Sequence, residues 1–223
     1  MYTLNNSFTF SGETLVYDGF ELYKPEDSLP PYTMRIRLKD GATPGWLSRG
    51  SLTQINISPN IWDYTYNNPT WDFTLSNQPD MIEVISANIV GVTSLNYAFR
   101  RCTALSSVNY FDTSTVQGMG SMFSDCFNIS SLPLLDTSKV SYWEDFCNFC
   151  YNLTSIPPFE VYSSLGNVMG AFYGCNKVQS GQYNLYRKMA AANPLYYADT
   201  FYDCGVDSPQ GSAELAKIPA SWK

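Results

Sequence analysis

Apolar residues recur along the second half of the chain at a fixed interval. Val92, Val116 and Val140 open three successive units, followed by Leu95, Met119 and Trp143, then Phe99, Phe123 and Cys147. Each unit closes on a cysteine three residues later, and Cys102, Cys126, Cys150, Cys175 and Cys204 lie 24, 24, 25 and 29 residues apart. Leu105, Ile129 and Leu153 follow at plus three, and Val108, Leu132 and Ile156 at plus six. A period in this range marks stacked repeats in which each unit buries its faces against its neighbours. The short runs Ser107-Val108-Asn109-Tyr110 and Ser131-Leu132-Pro133-Leu134 predict one strand per unit, paired in parallel. Apolar spacings of three and four in Val116–Phe123 predict one or two short helical turns. The Asp-Thr-Ser sequences at Asp112 and Asp136 predict Asx turns, in which the carboxylate accepts from an amide two or three residues on. Cys102, Cys126, Cys150, Cys175 and Cys204, with Phe99, Phe123 and Phe172, are the expected repeat core.

The stack needs both ends covered. Trp71, Leu75, Met81, Val84 and Val92, with Gln78 in the cysteine slot, fit one divergent first unit over 68–91. Gly181 to Ala192 reads as a helix inserted in the last repeat and stopped by Asn193-Pro194; Ala213 to Trp222 supplies a short helix and an aromatic lid. Upstream the period is lost, and alternating segments at Thr14–Tyr17 and Tyr32–Leu38 predict a small β unit. The expected division is a β module over 1–67, a possible attachment unit, a repeat body over 68–205, and a C-terminal cap over 206–223.

Phe111 to Val140, FDTSTVQGMGSMFSDCFNISSLPLLDTSKV, resembles the BspA-like leucine-rich repeats, also called the Mycoplasma-type lipoprotein repeat, nearly in full. The resemblance covers roughly Val92 to Cys204. It implies an α/β repeat solenoid, a short leucine-rich repeat stack with one strand per coil, preceded by the β unit and closed by the helical cap. It also implies adhesion and surface display. The third unit departs from the pattern, with Glu160-Val161-Tyr162 in place of Asp-Thr-Ser.

Composition narrows the chemistry. The 223 residues contain no histidine, which removes Ser-His-Asp triads, Cys-His pairs and HExxH zinc sites. With 13 basic against 20 acidic residues the formal charge is −7, and a nucleic-acid backbone is not an expected partner. Arg35, Arg37 and Lys39 alternate with apolar residues and read as one solvated strand face. No run of 18 apolar residues occurs, so no membrane insertion is expected. No secretory signal is evident at the start of the sequence.

Candidate sites follow. Cys147-Asn148-Phe149-Cys150 spells CxxC, but both cysteines fall in repeat slots and read as structural thiols rather than a metal or redox pair. The segment Ile61 to Phe73 mixes rings with Asp and Asn, as sugar-binding surfaces do; Trp62, Tyr64 and Tyr66 are therefore candidate binding residues, against the alternative of a hydrophobic plug. Asn109 joins them from the exposed side of its strand, with Pro133 and Pro157 at the same place in the other units and Ser107, Ser131 and Ser155 flanking them. Glu144, Asp145 and Asp125 are the carboxylates a glycosidase would use, on positions expected to face solvent. Asp203 and Asp207 lack the spacing of a calcium loop.

The expected function is a non-enzymatic binding module without cofactor or metal, displayed on a phage virion as a capsid or tail component. Its expected partners are other virion or surface proteins and a host-surface protein or glycan. A bacterial cell-surface adhesin with a trimmed signal, and a carbohydrate-active enzyme, are the alternatives.

Overall fold

A computed structural model describes residues 7–10, 13–18, 21–23, 29–43, 52–66 and 74–223, the first three segments as backbone. Strands β1 (Ser7–Phe10), β2 (Glu13–Asp18) and β3 (Glu21–Tyr23) form an antiparallel sheet in that order. Strands β4 (Thr33–Leu38), β5 (Leu52–Ser58), β6 (Ile61–Tyr66), β7 (Met81–Asn88) and β8 (Ser107–Val108) build a second sheet, in the order β5-β6-β4-β7-β8. All its pairs are antiparallel except β7 with β8.

The central place of β4 corrects the expected solvated cation face at Arg35, while Lys39 is exposed and Arg37 half-buried. Arg35 stands opposite Asp63 of β6, and Arg37 opposite Glu83 of β7. Arg35 is buried, its Nε and Nη2 donating to Asp63 Oδ1 at 2.7 Å and Oδ2 at 2.8 Å. Arg37 Nε donates to Glu83 at 3.0 Å, and Lys39, at the strand's exposed end, pairs with Asp80 at 3.1 Å. Alternation put the three cations on one face correctly, but the neighbouring strands set acids beside them, and of the three only Arg35 is buried.

The expected α/β repeat solenoid with one strand per coil is not what forms. The architecture is an open five-stranded mixed sheet followed by a long turn-built body and two short helices, α1 (Gln182–Ala192) and α2 (Pro209–Leu215). Past β8, the described residues hold only isolated parallel bridges, such as Gly118 with Tyr142 and Ser155 with Ser180. Two physical reasons account for this. Pro133, Pro157 and Pro158 occupy the expected strand segments and have no N–H to give a ladder. The expected helical turns are tight turns instead, each row holding residues at positive φ: Tyr97 and Arg101, Ser121 and Asp125, Asp145 and Phe149, Gly170 and Gly174, Asp199 and Asp203. Left-handed residues at such close spacing break both a helix and a strand.

Backbone donors in these rows divide their work. Leu95, Tyr97, Phe99 and Arg101 donate to the carbonyls of Gly118, Gly120, Met122 and Ser124 in the next row, at 2.8–2.9 Å. The alternate residues Ala98, Arg100 and Cys102 donate back three positions, closing turns. The same division repeats from Met119, Trp143 and Val168 onward. Side chains add a second set of bonds between rows. Cys126, Cys150 and Cys175 thiols donate to the carbonyls of Phe99, Phe123 and Cys147 at 3.1–3.2 Å, and Cys102 to Leu75 at 3.4 Å. Thr113 and Thr137 hydroxyls donate to Asp136 and Glu160 carbonyls, while Asp112 and Asp136 accept the amides of Ser114 and Ser138 as Asx turns. The thiol and threonine bonds are buried or half-buried, the sort that costs little to keep and much to lose, while the two Asx turns are exposed.

Among the described residues one apolar cluster runs from Met34 in the sheet through Leu95, Phe99, Phe123, Trp143 and Phe172 to Trp222. The phenylalanines contact from row to row, Phe99 stacking on Phe123 at 5.4 Å and Phe172 on Phe201 at 6.0 Å. Helix α1 ends at Asn193 in the left-handed conformation, and α2 starts at Ser208, whose hydroxyl accepts from Gly211 N. Trp222 folds back over Tyr197 at 4.7 Å. No helix among the described residues is long and apolar enough to cross a membrane.

Candidate binding surface

The residues expected to bind are divided by the structure. Tyr64 is fully buried in the sheet core, so its ring offers no surface to a ligand, and burial pushes its phenol well above the ordinary value. Trp62 is half-buried against the core, and Tyr66, also half-buried, donates its hydroxyl to Thr74 O. These rings plug the sheet where it meets the first turn row, because Ile61–Tyr66 is paired on both edges by β4 and β5. Asn109 is exposed, but its side chain donates to Ile85 O at 2.9 Å and its amide to Val84 O, tying the segment after β8 to β7. Trp71 and Phe73 lie outside the described residues.

A different set of rings lines the surface of the turn body. Phe127 and Tyr151 stack at 5.5 Å, Tyr151 meets Phe149 at 5.7 Å, Phe149 meets Tyr173 at 5.3 Å, and Tyr173 stacks on Tyr202 at 4.8 Å with planes 11° apart. Phe127, Tyr151 and Tyr202 are each about 40% exposed (38%, 42% and 40%), while Phe149 and Tyr173 are half-buried between them. The row spacing sets these contacts, since successive rows bring equivalent positions within ring-stacking distance. Gly174, at φ 69°, makes room: a Cβ there would stand 2.9 Å from Phe149 Cδ1. Aromatic residues beside the cysteines carried this signal in the sequence, Phe127 and Tyr151 one residue after, Tyr173 and Tyr202 two before. The stacking could be read only once the turns had brought the rows into register.

A polar seam runs over another part of the same rows. Tyr142 donates to the Glu144 carboxylate, and Asn167 Nδ2 donates to the same oxygen at 3.1 Å. Asn96 Oδ1 accepts from Gly120 N at 2.6 Å; a Cβ on Gly120 would collide with the Tyr142 ring at 2.3 Å. Asp145 is half-buried and accepts from Asn148 at 2.8 Å. Burial raises its carboxyl above the ordinary range, with the neighbouring Glu144 acting in the same direction and the Asn148 bond opposing. Glu144 and Asp145 are thus held by neighbours rather than open to solvent as expected. Asp125 is half-buried and lies 3.7 Å from Arg101. None of the three lines the 710 Å³ cleft beside α1 or the 330 Å³ hollow at Leu195 and Tyr196.

The CxxC cysteines are buried with the other four, and all six are free. Burial is the main cause that raises every thiol, Cys147 to about 11 and Cys102 to about 12. Such thiols stay protonated and act as hydrogen-bond donors, unlike reactive cysteines with depressed values. No group of three or more Cys, Asp or Glu among the described residues is placed to hold a metal ion. Asp203 and Asp207 are both exposed, Asp203 in a left-handed turn and Asp207 donating its amide to Asn176 O. Comparison with protein-family models, curated proteins and solved structures finds no match for the chain.

Proposed function

We propose that this chain is a non-enzymatic binding module whose contact surface is the ring ridge Phe127–Tyr151–Phe149–Tyr173–Tyr202. The observation that carries this reading is the continuous, partly exposed run of ring contacts itself. Tyrosines held rigidly by their neighbours supply contact area with little entropy left to lose on binding. Because Phe127 stacks on Tyr151 and Tyr173 on Tyr202, these facing surfaces are covered, and the ridge offers solvent ring edges and phenol groups. That favours a protein partner over a pyranose, which needs an open ring face. The ridge is also fixed by backbone bonds on both sides, so little ordering cost opposes association.

The place of action we propose is the surface of a phage virion, with a host-surface protein as partner. The likeness of Phe111–Val140 to surface-displayed repeats supports display, and mass spectrometry of purified particles tests it; absence from the particles removes the placement. Binding is tested on intact host cells and on a glycan array, with the Y151S/Y173S/Y202S variant beside the parent. The expected result is saturable, protease-sensitive cell binding that the variant loses while its circular dichroism spectrum is kept. Cell binding that survives in the variant refutes the ridge as the surface, binding to the array alone replaces the protein partner by a glycan, and hydrolysis of array glycans removes the non-enzymatic reading.

A further inference from the structure

A cleft that shares no residue with the ridge lies between α1 and the loop Ile156–Phe159, with a volume of about 710 Å³. That is the size of a specific ligand pocket. Its floor is apolar: Ile156, Phe159 and Leu185 are buried beneath it. One wall is Pro157 and Pro158, which present no N–H, and the other is the α1 stripe with Arg187 and Lys188.

The charges along this wall differ in kind. Lys188 is committed, donating to Phe159 O at 2.8 Å and to Glu160 at 3.1 Å. Arg35, Arg37, Lys39 and Arg101 likewise meet acids elsewhere. Arg187 is exposed and makes no ion pair among the described residues. Glu214, at the cleft's end, is engaged by the amides of Gly181 and Tyr183. In a chain of net charge −7, the cleft therefore joins an apolar floor to a free guanidinium. Pro158 of its wall shares an equivalent position, 24 residues apart, with Tyr110 and Leu134 in rows that Thr113 and Thr137 tie together, and Tyr110 is 61% and Leu134 55% exposed. An apolar line that runs across rows and ends at a cation suits an extended chain rather than a compact ligand.

We propose that this cleft docks an extended peptide segment of a partner protein, apolar in its side chains and carrying one acidic residue that Arg187 pairs with. A guanidinium can grip a carboxylate through two parallel hydrogen bonds, and the surrounding apolar surface lowers the local dielectric. The proline wall prevents the segment from simply adding as a strand, so selectivity comes from the side chains.

The experiment uses the full chain and a fluorescein-labelled leucine-rich octapeptide with one central glutamate, with its glutamine and lysine counterparts, read by anisotropy. The glutamate peptide is expected to saturate, with the glutamine peptide roughly ten-fold weaker, the loss of one charge-assisted pair. R187E should reverse the order and favour the lysine peptide, and added salt should weaken the glutamate peptide alone. The Y151S/Y173S/Y202S variant should bind all three peptides like the parent, which separates this cleft from the ridge. Equal affinity for the three peptides, no saturation by the glutamate peptide, or an R187E variant with unchanged preference would overturn the proposal. Displacement of the glutamate peptide by dodecanoate at equal concentration would also overturn it, because the site would then belong to a free acid.

Discussion

Raising the pH should unfold this protein at a point that its thiols determine. All six cysteines are free and buried, and burial lifts each thiol, with Cys102 going from its ordinary 9.0 to about 12 and Cys147 to about 11. The folded chain therefore holds protons that the unfolded chain releases. This stabilisation is complete below the ordinary value and lost as pH climbs toward the folded values. At about pH 10 an unfolded thiol is some ten-to-one ionised, while the folded one stays largely protonated, which costs about 1.4 kcal/mol of stability per group. Six groups together lose about 8 kcal/mol, comparable with the whole stability of a typical domain, about 5–15 kcal/mol. Urea titrations followed by tryptophan fluorescence, run under reductant from pH 7.5 to 10.5, measure this directly. The midpoint should fall steeply above about pH 9 at constant m, with a loss of about 8 kcal/mol reached near pH 10. A stability at pH 10 within about 2 kcal/mol of that at pH 8 would refute the reasoning, since no more than one or two thiols would then be shielded.

Three substitutions probe other parts of the framework. Asp63→Ala takes the bidentate Asp63 carboxylate from the buried Arg35 and should cost about 3–5 kcal/mol by urea denaturation, whereas the paired replacement Arg35→Met with Asp63→Leu should recover most of it; a single mutant as stable as the parent would show that the Arg35 charge is satisfied without Asp63. Gly174→Ala forces a side chain onto a residue at φ 69° and to within 2.9 Å of Phe149, with an expected loss of about 1–3 kcal/mol and a change in near-ultraviolet circular dichroism as the ridge shifts. Thr137→Val keeps the shape but removes the donor to Glu160 O, costing about 1 kcal/mol; a neutral effect would mean that this bond between rows adds nothing over water.

How far the sequence could be read depended on which property was asked of it. Burial followed directly from the period: Leu95, Met119, Trp143, Phe99, Phe123 and the cysteines are all fully buried. Helix α1 and its stop at Asn193 were legible from composition, and the Asx turns from the chemistry of Asp112 and Asp136. Backbone conformation was not. Spacings of three and four in Val116–Phe123 fit a helix, yet Asp125, Asp145, Asp199 and Asp203, with Gly170 and Gly174, recur one and five residues before the cysteines, in slots that take positive φ. Aspartate and glycine are residues that tolerate that region, so the turn signal was present and was outweighed by apolar periodicity. Arg35 escaped for another reason: a strand's own sequence shows which residues share a face, but not that β6 would set Asp63 beside Arg35 and let it be buried.

The same turns explain why the ridge is suited to binding. A tight turn with a left-handed residue sends alternate amides along the stacking direction, so each row fixes the next through four backbone bonds before any side chain contributes. Side chains beside the left-handed positions inherit that spacing, and Tyr151, Phe149, Tyr173 and Tyr202 meet because their backbones are already bonded, not because ring contacts draw the rows together. It follows that the rings are free to vary in identity at small cost to the fold. A change such as Tyr202→Ser should alter recognition far more than stability, the combination expected of a surface kept for contact. By contrast, Phe123 or Phe172 at the equivalent inward positions should cost about 3–5 kcal/mol on truncation to Ala, since each leaves a cavity between rows that the backbone ladder prevents from closing.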